Sequence, residues 1–375
     1  MHAIATPAPT LLFAIASDDV AQVNRVLESG DAGPNDQVEP QSALAFTLTN
    51  DQLHHKMEIV KALLAFGADP SDLKNPELNP PRRNVASGDG RGEAITQSPV
   101  LDNVDPATGY YITRAASPST RRISQMIHRS FFRPLTKVRY DLVGQDCALG
   151  QLFRVLSMNV QLSSVAPTVI LLRGPSGHGK IGSLLGIPTH IVNMTTLRST
   201  HDLWQSFSMS PYKEIEKTED EKALWSLLMP WELGRCSVKT GKRHIDVRNV
   251  IWLGTSNVGE DLVFDYDASR HNPETATTRE EYIELISLLR PRVSAQSGAS
   301  LLSRVTTVLP FVPFSRDENM AITAETLYSL GGDQVETMSP QDIESLISRA
   351  LKSYLAVEGA RSLYRAVSNK SIEFP

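Results

Sequence analysis

Apolar residues in the first seventy positions recur at helical spacing, and two of these helical runs stop at a glycine. One run is VNRVLESG, which ends at Gly30, and the other is IVKALLAFG, which ends at Gly67. Glycine reaches the left-handed backbone conformation that closes many helices, so each run predicts a helix that ends at its glycine. The two glycines lie 37 residues apart. This spacing indicates a weakly self-repeating helical segment.

The repetition resembles that of ankyrin repeats, whose period is about 33 residues. An insert between Asn50 and Lys56 accounts for the longer spacing, and the alanine-rich runs LLFAIA and SALAFTL fit the first helix of each repeat. We therefore predict an ankyrin-like helical segment over residues 1–72. Only two repeats are countable, whereas solenoids usually need about three. A plain helical hairpin packed on the next domain is the alternative.

The next part of the chain, residues 73–130, predicts a linker. Its run NPELNPPRRNVASGDGRGEAITQSP is rich in proline, glycine, asparagine and serine and poor in large apolar residues. Such a composition buries too little surface to offset the entropy lost on ordering. The basic run STRRISQMIHRSFFRPLTKVR follows and has a helical pattern. It indicates either contact with a partner or a phosphate, or a solvated amphipathic face.

Strand and helix patterns alternate from about residue 136 onward. The runs TVILLRG, THIVNMT, VRNVIWLGTSN and TTVLPFVPF are short, rich in β-branched residues and bounded by polar turns. Alternation of this kind predicts an α/β fold with a parallel sheet. We place this large α/β subdomain at residues 131–315. Residues 316–375 have helical patterns only and predict a small, separate C-terminal subdomain.

The sharpest chemical signal is a glycine-rich loop after the strand TVILLR. In this context a G-x-x-x-x-G-K pattern curls the backbone so that its N–H groups face an anion, with a helix N-terminus behind them. The lysine reaches the β and γ phosphates of a bound nucleotide as a point charge. The predicted phosphate-binding residues are Gly174, Pro175, Ser176, Gly177, His178, Gly179 and Lys180.

Five motifs in order make residues 136–370 resemble the Clp-type AAA+ ATPases. They are DLVGQDCALGQLFRVL, EIEKTEDEKALWSLLMPWELGR, VKTGKRHIDVRNVIWLGTSN, ASLLSRVTTVLPF and VEGARSLYRAV. The resemblance implies an AAA+ P-loop sheet of strand order 5-1-4-3-2, a helical C-terminal lid, and ATP with Mg²⁺ as cofactors. It also implies roles for individual residues. Val143 and Gly144 would flank the adenine, Glu214 would be the catalytic glutamate, Asn257 would position the attacking water, Arg304 would be the arginine finger and Arg361 would contact the phosphates.

The sequence departs from this family at both magnesium-supporting positions. The family has Ser or Thr after the loop lysine, whereas this chain has Ile181. It also has an apolar strand ending in Asp before the catalytic glutamate, whereas this chain has FSMSPYK, with Lys213 in place of the aspartate. We therefore predict that one sheet strand is missing and that the Mg²⁺ site is impaired, and we assign no metal ligand. Either the sequence omits coding segments or the protein is a degenerate paralogue.

Composition and charge narrow the class of protein. The net charge is −5, which gives no global basic field for nucleic acid or anionic membrane. The only cysteines are Cys147 and Cys236, which suit neither a disulfide framework nor a zinc site. No signal peptide and no apolar run long enough to span a membrane is present in the sequence. The prediction is a cytoplasmic or nuclear protein, without membrane or nucleic-acid partners.

Two functions remain open from the sequence. The first is an ATP-driven remodeller of protein substrates, a homo-hexamer that recruits protein clients, or an ankyrin-bound partner, through its N-terminal repeats. The second is a catalytically dead pseudo-ATPase that binds partners through the ankyrin-like segment. The family motifs favour the first, and Ile181 with the missing Walker B strand favours the second.

Overall fold

The computed structural model describes residues 10–38, 41–74, 104–130, 132, 134–161, 166–179, 227–237 and 244–371. The chain divides into two compact units. The first comprises residues 1–141 together with 320–329, and the second comprises 142–319 and 330–375. The N-terminal unit is therefore discontinuous in sequence, because it includes part of a helix from the C-terminal region.

The N-terminal unit is a stack of short helices. Consecutive helices pack against each other as the pairs α1–α2, α3–α4 and α5–α6. The elements are α1 (Leu11–Ala16), α2 (Val20–Ser29), strands β1 (Gln37–Val38) and β2 (Gln41–Ser42), α3 (Ala43–Thr49), α4 (Lys56–Ala65), a 3-10 helix (Pro70–Lys74), α5 (Pro106–Ala115), α6 (Pro118–His128) and α7 (Pro134–Asp141).

Two helix ends fall at the glycines that the sequence singled out. Helix α2 closes at Gly30, which is left-handed with a φ of 77°, and Gly67, with a φ of 95°, follows directly after α4 and its cap. Asn35 links the two repeats, since it donates to Gly67 O at 3.2 Å and accepts from Asp69 N at 2.7 Å. The two predicted helices are confirmed. The ankyrin identity of the segment stays a prediction.

Asp18 joins the turn after α1 to the start of α4. Its carboxylate accepts hydrogen bonds from the backbone N–H groups of His54 and His55 at 3.0 and 3.1 Å, and from His55 Nδ1 at 3.0 Å. Asp18 holds a positive φ of 56°, which is uncommon outside glycine. Burial raises the pKa of Asp18, but the hydrogen bonds from His55 and His54 outweigh burial and leave that pKa below its ordinary value.

Replacing Asp18 with alanine should lower the free energy of unfolding of the N-terminal unit by about 2 kcal/mol, because charged hydrogen bonds are lost and alanine is strained at positive φ. Asp18→Asn tolerates this φ and should lose less. Because the folded-state pKa is depressed, the contribution is present above about pH 4 and is lost as the pH falls through the folded pKa. Urea unfolding at several pH values measures the contribution of Asp18 to the free energy of unfolding. The control variant is Asp51→Ala, which changes an exposed aspartate. Equal stability of the Asp18→Ala and Asp51→Ala variants would contradict this account.

The described part of the predicted linker, residues 104–130, differs from the prediction. It forms α5 and α6, and α6 covers the basic run for which a helical pattern was predicted. Tyr111 of α5 is buried, its hydroxyl donates to Glu325 at 2.6 Å, and its ring lies 6.0 Å from that of Tyr140. These contacts fix α5 in the N-terminal unit. The proline- and glycine-rich residues 75–103 lie outside the described residues.

The second unit combines a parallel sheet with helices. The elements after residue 141 are α8 (Asp146–Gln161), β3 (Thr168–Arg173), α9 (Leu228–Leu233), β4 (Arg235–Ser237), β5 (His244–Asp246), β6 (Ile251–Ser256), α10 (Glu260–Ser269), α11 (Arg279–Ser297), α12 (Ala299–Leu302), β7 (Thr307–Pro310), α13 (Arg316–Gly331, of which residues 320–329 belong to the N-terminal unit), α14 (Asp333–Glu336), α15 (Pro340–Leu351) and α16 (Ala360–Ser371). Within the described stretches, no helix is long and apolar enough to cross a membrane.

Strand β3 lies between β6 and β7, and both pairings are parallel. In register, Thr168 faces Ile251 and Ile170 faces Thr307. Every residue of β3 is buried, which explains its continuous apolar run. The predicted parallel sheet is confirmed. The order β7-β3-β6 is also confirmed, since it corresponds to 5-1-4 in the predicted order 5-1-4-3-2. The run THIVNMT and the Walker B region lie outside the described residues, so the missing strand stays a prediction.

The second unit also contains a hairpin before β6, in which strands β4 and β5 pair antiparallel. Residues 316–371 are largely helical, as predicted, but Met320–Ser329 of α13 belongs to the N-terminal unit. A lid subdomain with the boundaries 316–375 therefore stays a prediction.

Candidate nucleotide-binding site

The residues after β3 form a tight glycine-rich loop. Gly174, Gly177 and Gly179 have φ values of 131°, 76° and 88°. A Cβ atom at Gly174 would collide with the carbonyl oxygen of Phe311, and one at Gly177 with the carbonyl oxygen of Glu358. Both obstacles are backbone atoms, so no side-chain rotation relieves the collision. The glycines of the predicted phosphate loop are therefore required by its backbone geometry.

The start of helix α16 contacts this loop directly. Arg361 donates from Nη1 to Ser176 Oγ at 2.8 Å, and the N–H of Ala360 donates to Gly177 O at 3.2 Å. Arg361 itself is exposed. The predicted Arg361 thus lies beside the predicted loop, although 185 residues separate Arg361 from Ser176 in sequence. A guanidinium at this position adds positive charge to the glycine loop, as binding of a polyphosphate requires.

His178 fixes the middle of the loop. Its side chain is fully buried, its ring stacks on Phe314 with centroids 4.7 Å apart, and Nδ1 lies 2.8 Å from Ser176 O. A Cβ atom at Gly359 would lie only 2.8 Å from the His178 ring. The ring is therefore held between Phe314 and the turn before α16, so the loop backbone is positioned from two sides.

The predicted adenine motif borders a small recess that is open to solvent. Gly144, with a φ of 76°, lies against the Glu318 carboxylate and the Phe314 ring, each 2.9 Å from where its Cβ would be. Gln145 is buried and exchanges two hydrogen bonds with the backbone of Val312, at 2.9 and 3.1 Å. Val143 is also buried. The recess has both apolar and hydrogen-bonding walls, which a nucleobase requires.

A buried arginine fixes the outer wall of this recess. Arg270 donates to the carbonyl oxygens of Thr275 and Ala276, at 3.0 and 3.2 Å, and its side chain is 4% exposed. It also pairs with Asp267 at 2.9 Å and Glu281 at 3.2 Å. Burial lowers the pKa of Arg270, but hydrogen bonds to Glu281 and Asp267 outweigh it and raise that pKa above its ordinary value. The paired guanidinium therefore stays charged and holds the 271–278 loop in place.

The two remaining described site residues lie apart from these contacts. Asn257 follows β6 at the carboxyl edge of the sheet, next to the end of β3 in register. Arg304 pairs through Nη2 with Glu232 at 2.5 Å and also bonds Ser300 O. The contacts of Arg304 with described residues do not include the glycine loop. Its predicted role as an arginine finger acts on a neighbouring copy, so it stays a prediction.

Several predicted residues lie outside the described residues. They are Lys180, Ile181, Lys213 and Glu214. Among the side chains that are described, no group of three or more His, Cys, Asp and Glu residues could hold a metal ion. The described loop combines glycines at positive φ with the adjacent Arg361, and its binding of nucleotide phosphates stays a prediction. It supplies no magnesium ligand set.

Sequence reasoning missed three contacts of the site. Glu318 forms a capping box with Ser315, because Ser315 N donates to Glu318 Oε2 at 2.7 Å and Glu318 N to Ser315 Oγ at 3.4 Å. The pattern Ser-x-x-Glu at the start of a helix is a readable signal for it. The stacking of Phe314 on His178 and the pairing of Glu232 with Arg304 carried no local signal, since both join residues distant in sequence.

Comparison with known proteins gives partial matches. No protein-family model matches the chain. The chain is 26% identical to the chaperone protein ClpB of Yersinia enterocolitica over 268 residues. This match covers 60% of this chain and 29% of that protein. It is 23% identical to ClpB of Chlamydia caviae over 169 residues, and this match covers 44% of this chain and 18% of that protein. The chain thus spans less than a third of the length of these relatives.

Two solved structures of S. cerevisiae Hsp104 are also similar. The Hsp104–ADP complex matches with a TM-score of 0.45 and 20% identity, over 70% of this chain and 51% of that chain. The extended conformation of the Hsp104:casein complex matches with a TM-score of 0.47 and 16% identity, over 98% of this chain and 64% of that chain.

Proposed function

We propose that this chain, similar in sequence to ClpB chaperones, is a Clp-type AAA+ module that binds ATP and acts on protein substrates. The observation that carries the proposal is the contact of Arg361 with Ser176 of the glycine loop, at 2.8 Å. The glycine loop and the start of α16, which carries Arg361, meet in the second unit. Clp-type function at the family level is supported by the sequence similarity to ClpB.

Different residues of this chain would contact different parts of the nucleotide. The glycine loop from Gly174 to Gly179 and Lys180 would hold the phosphates, and Arg361 would add charge beside them. Val143 and Gly144 would flank the base. Bound Mg²⁺ would neutralise phosphate charge in an ordinary P-loop ATPase. Ile181 has no oxygen to ligate it, so we expect weak magnesium dependence and slow hydrolysis.

The wider activity is proposed from the relatives. We infer that Glu214, Asn257 and Arg304 serve hydrolysis within a homo-hexamer, and that energy from ATP is used to remodel protein clients. The Hsp104 structure with casein names a protein bound by that chaperone. Recruitment of clients by an ankyrin-like N-terminal segment is part of the same proposal.

A catalytically dead interaction protein is the second candidate, and Ile181 favours it. Lys180→Ala separates the two. If the chain is an ATP-binding module, calorimetric titration should show that this variant binds ATP about tenfold more weakly or worse, because one charge-assisted contact is lost. Lys352→Ala, which changes an exposed lysine elsewhere in the same unit, should bind as wild type does. ATP binding that is absent in wild type, or unchanged by Lys180→Ala, would support the interaction protein instead.

A further inference from the structure

Arg173 is the last residue of β3, and Gly174, the first glycine of the loop, follows it in sequence. Its side chain shares a face of β3 with Val169 and Leu171, which belong to the hydrophobic core of the sheet. Arg173 is only 6% exposed. In register it lies between Ser256 of β6 and Pro310 of β7, at the carboxyl edge of the sheet.

The guanidinium of Arg173 has no partner among the residues that the structure describes. Its Nε is buried without a hydrogen bond, and no carboxylate in the described ranges pairs with it. By contrast Arg270 of the second unit, whose side chain is 4% exposed, is paired with Asp267 and Glu281. A buried charge without a partner is destabilising, and native structures rarely keep one without a reason.

Burial lowers the pKa of Arg173 to about 10. The side chain is therefore still charged at neutral pH. The carboxyl edge of a parallel sheet is where α/β proteins bind ligands, and at this edge β3 enters the glycine loop while β6 ends beside Asn257. A buried, protonated guanidinium that has no partner among the described residues suits, at such an edge, an anionic ligand that arrives from outside the chain.

We propose that Arg173 binds a phosphate group of the ligand held by the glycine loop. This inference rests on the proposed nucleotide-binding function. Arginine offers planar, bidentate hydrogen bonding to phosphate oxygens. At the same time it would supply positive charge near the phosphates in a chain where Ile181 provides no oxygen for a magnesium ion. The shared chemistry is a phosphoryl oxygen, whether of a nucleotide or of a free polyphosphate.

The test compares Arg173→Met with Arg173→Lys and with the control Arg290→Met, which changes an exposed arginine of α11. ATP and pyrophosphate are titrated into each full-length variant, with magnesium and with EDTA. We expect Arg173→Met to weaken binding of both probes about tenfold or more, and Arg173→Lys to weaken it less. Wild-type affinity should change little with EDTA. The ligand-free Arg173→Met protein should melt about 2 °C higher or more, because an unpaired buried charge has been removed.

The outcomes separate this inference from the proposed function. If wild type binds ATP and Arg173→Met binds it equally well, the inference fails and the function stands. If wild type binds pyrophosphate through Arg173 but not ATP, the inference stands and the nucleotide function fails. If neither probe binds, both fail. A ligand-free Arg173→Met protein that melts lower than wild type or does not fold, beside a normal Arg173→Lys, shows a structural arginine and overturns the inference.

Discussion

Gly177→Ala should abolish most nucleotide binding and destabilise the second unit by more than about 2 kcal/mol. Gly177 has a φ of 76°, and a methyl group there would collide with the backbone carbonyl of Glu358. The only relief is to move the turn before α16 away, which separates Arg361 from Ser176. Thermal unfolding and ATP titration of the purified variant measure the two effects.

Gly150→Ala is the matched control for this variant. Gly150 lies within helix α8 of the same unit, and nothing lies within 4 Å of where its Cβ would be. Alanine is the better helix former there, so Gly150→Ala should stabilise the unit by about 0.5–1 kcal/mol. A Gly177→Ala protein that binds ATP like wild type would show that the loop does not need the observed backbone.

Glu325→Ala should lower the free energy of unfolding of the N-terminal unit by about 3 kcal/mol. Glu325 pairs with Lys61, whose side chain is 12% exposed, and it accepts from the hydroxyl of the fully buried Tyr111. Lys61 Nζ also lies 4.7 Å from the Tyr111 ring centroid. Burial and the charge of Glu325 raise the pKa of Tyr111, so the tyrosine stays protonated and cannot neutralise Lys61. Removal of Glu325 therefore leaves Lys61 buried without its partner.

Urea unfolding and hydrogen exchange of the full-length chain measure this loss. Exchange should increase in α4 and α5, which carry Lys61 and Tyr111. Glu344→Ala, at an exposed position of α15, should leave both readouts unchanged. The double variant Lys61→Met with Glu325→Met removes both charges and should be less destabilised than Glu325→Ala. A loss below about 1 kcal/mol for Glu325→Ala would mean that the pair behaves as a solvent-exposed salt bridge.

Local sequence patterns predict the parts of the fold that are determined by residues close together in the chain. A strand buried on both faces reads as a continuous apolar run, so TVILLR identified β3 without knowledge of its neighbours. The glycine loop followed because its backbone geometry admits only glycine at Gly174 and Gly177. Helix ends at Gly30 and beside Gly67 came from the same conformational rule.

The features that sequence reasoning missed depend on contacts distant in sequence. Residues 106–128 fall within the predicted linker, because the residues before them in the chain are poor in large apolar side chains. Tyr111 is nonetheless buried, since it packs near Tyr140 and bonds Glu325, which lies 214 residues further along the chain. Arg304 pairs with Glu232 across 72 residues. No local sequence pattern predicts such partners, and the lack of a partner for Arg173 among the described residues is likewise not predictable without its surroundings.

Hydrogen exchange of the full-length chain with and without ATP shows whether the glycine loop binds nucleotide, because it reports on the loop and on its contact with α16 in one experiment. We expect slower exchange in residues 174–179 and 358–361 when ATP is added, and a much smaller change in Lys180→Ala at an ATP concentration near the wild-type dissociation constant. Unchanged exchange of the wild type in both segments at saturating ATP, or equal protection of Lys180→Ala at the lower ATP concentration, would contradict nucleotide binding at this loop.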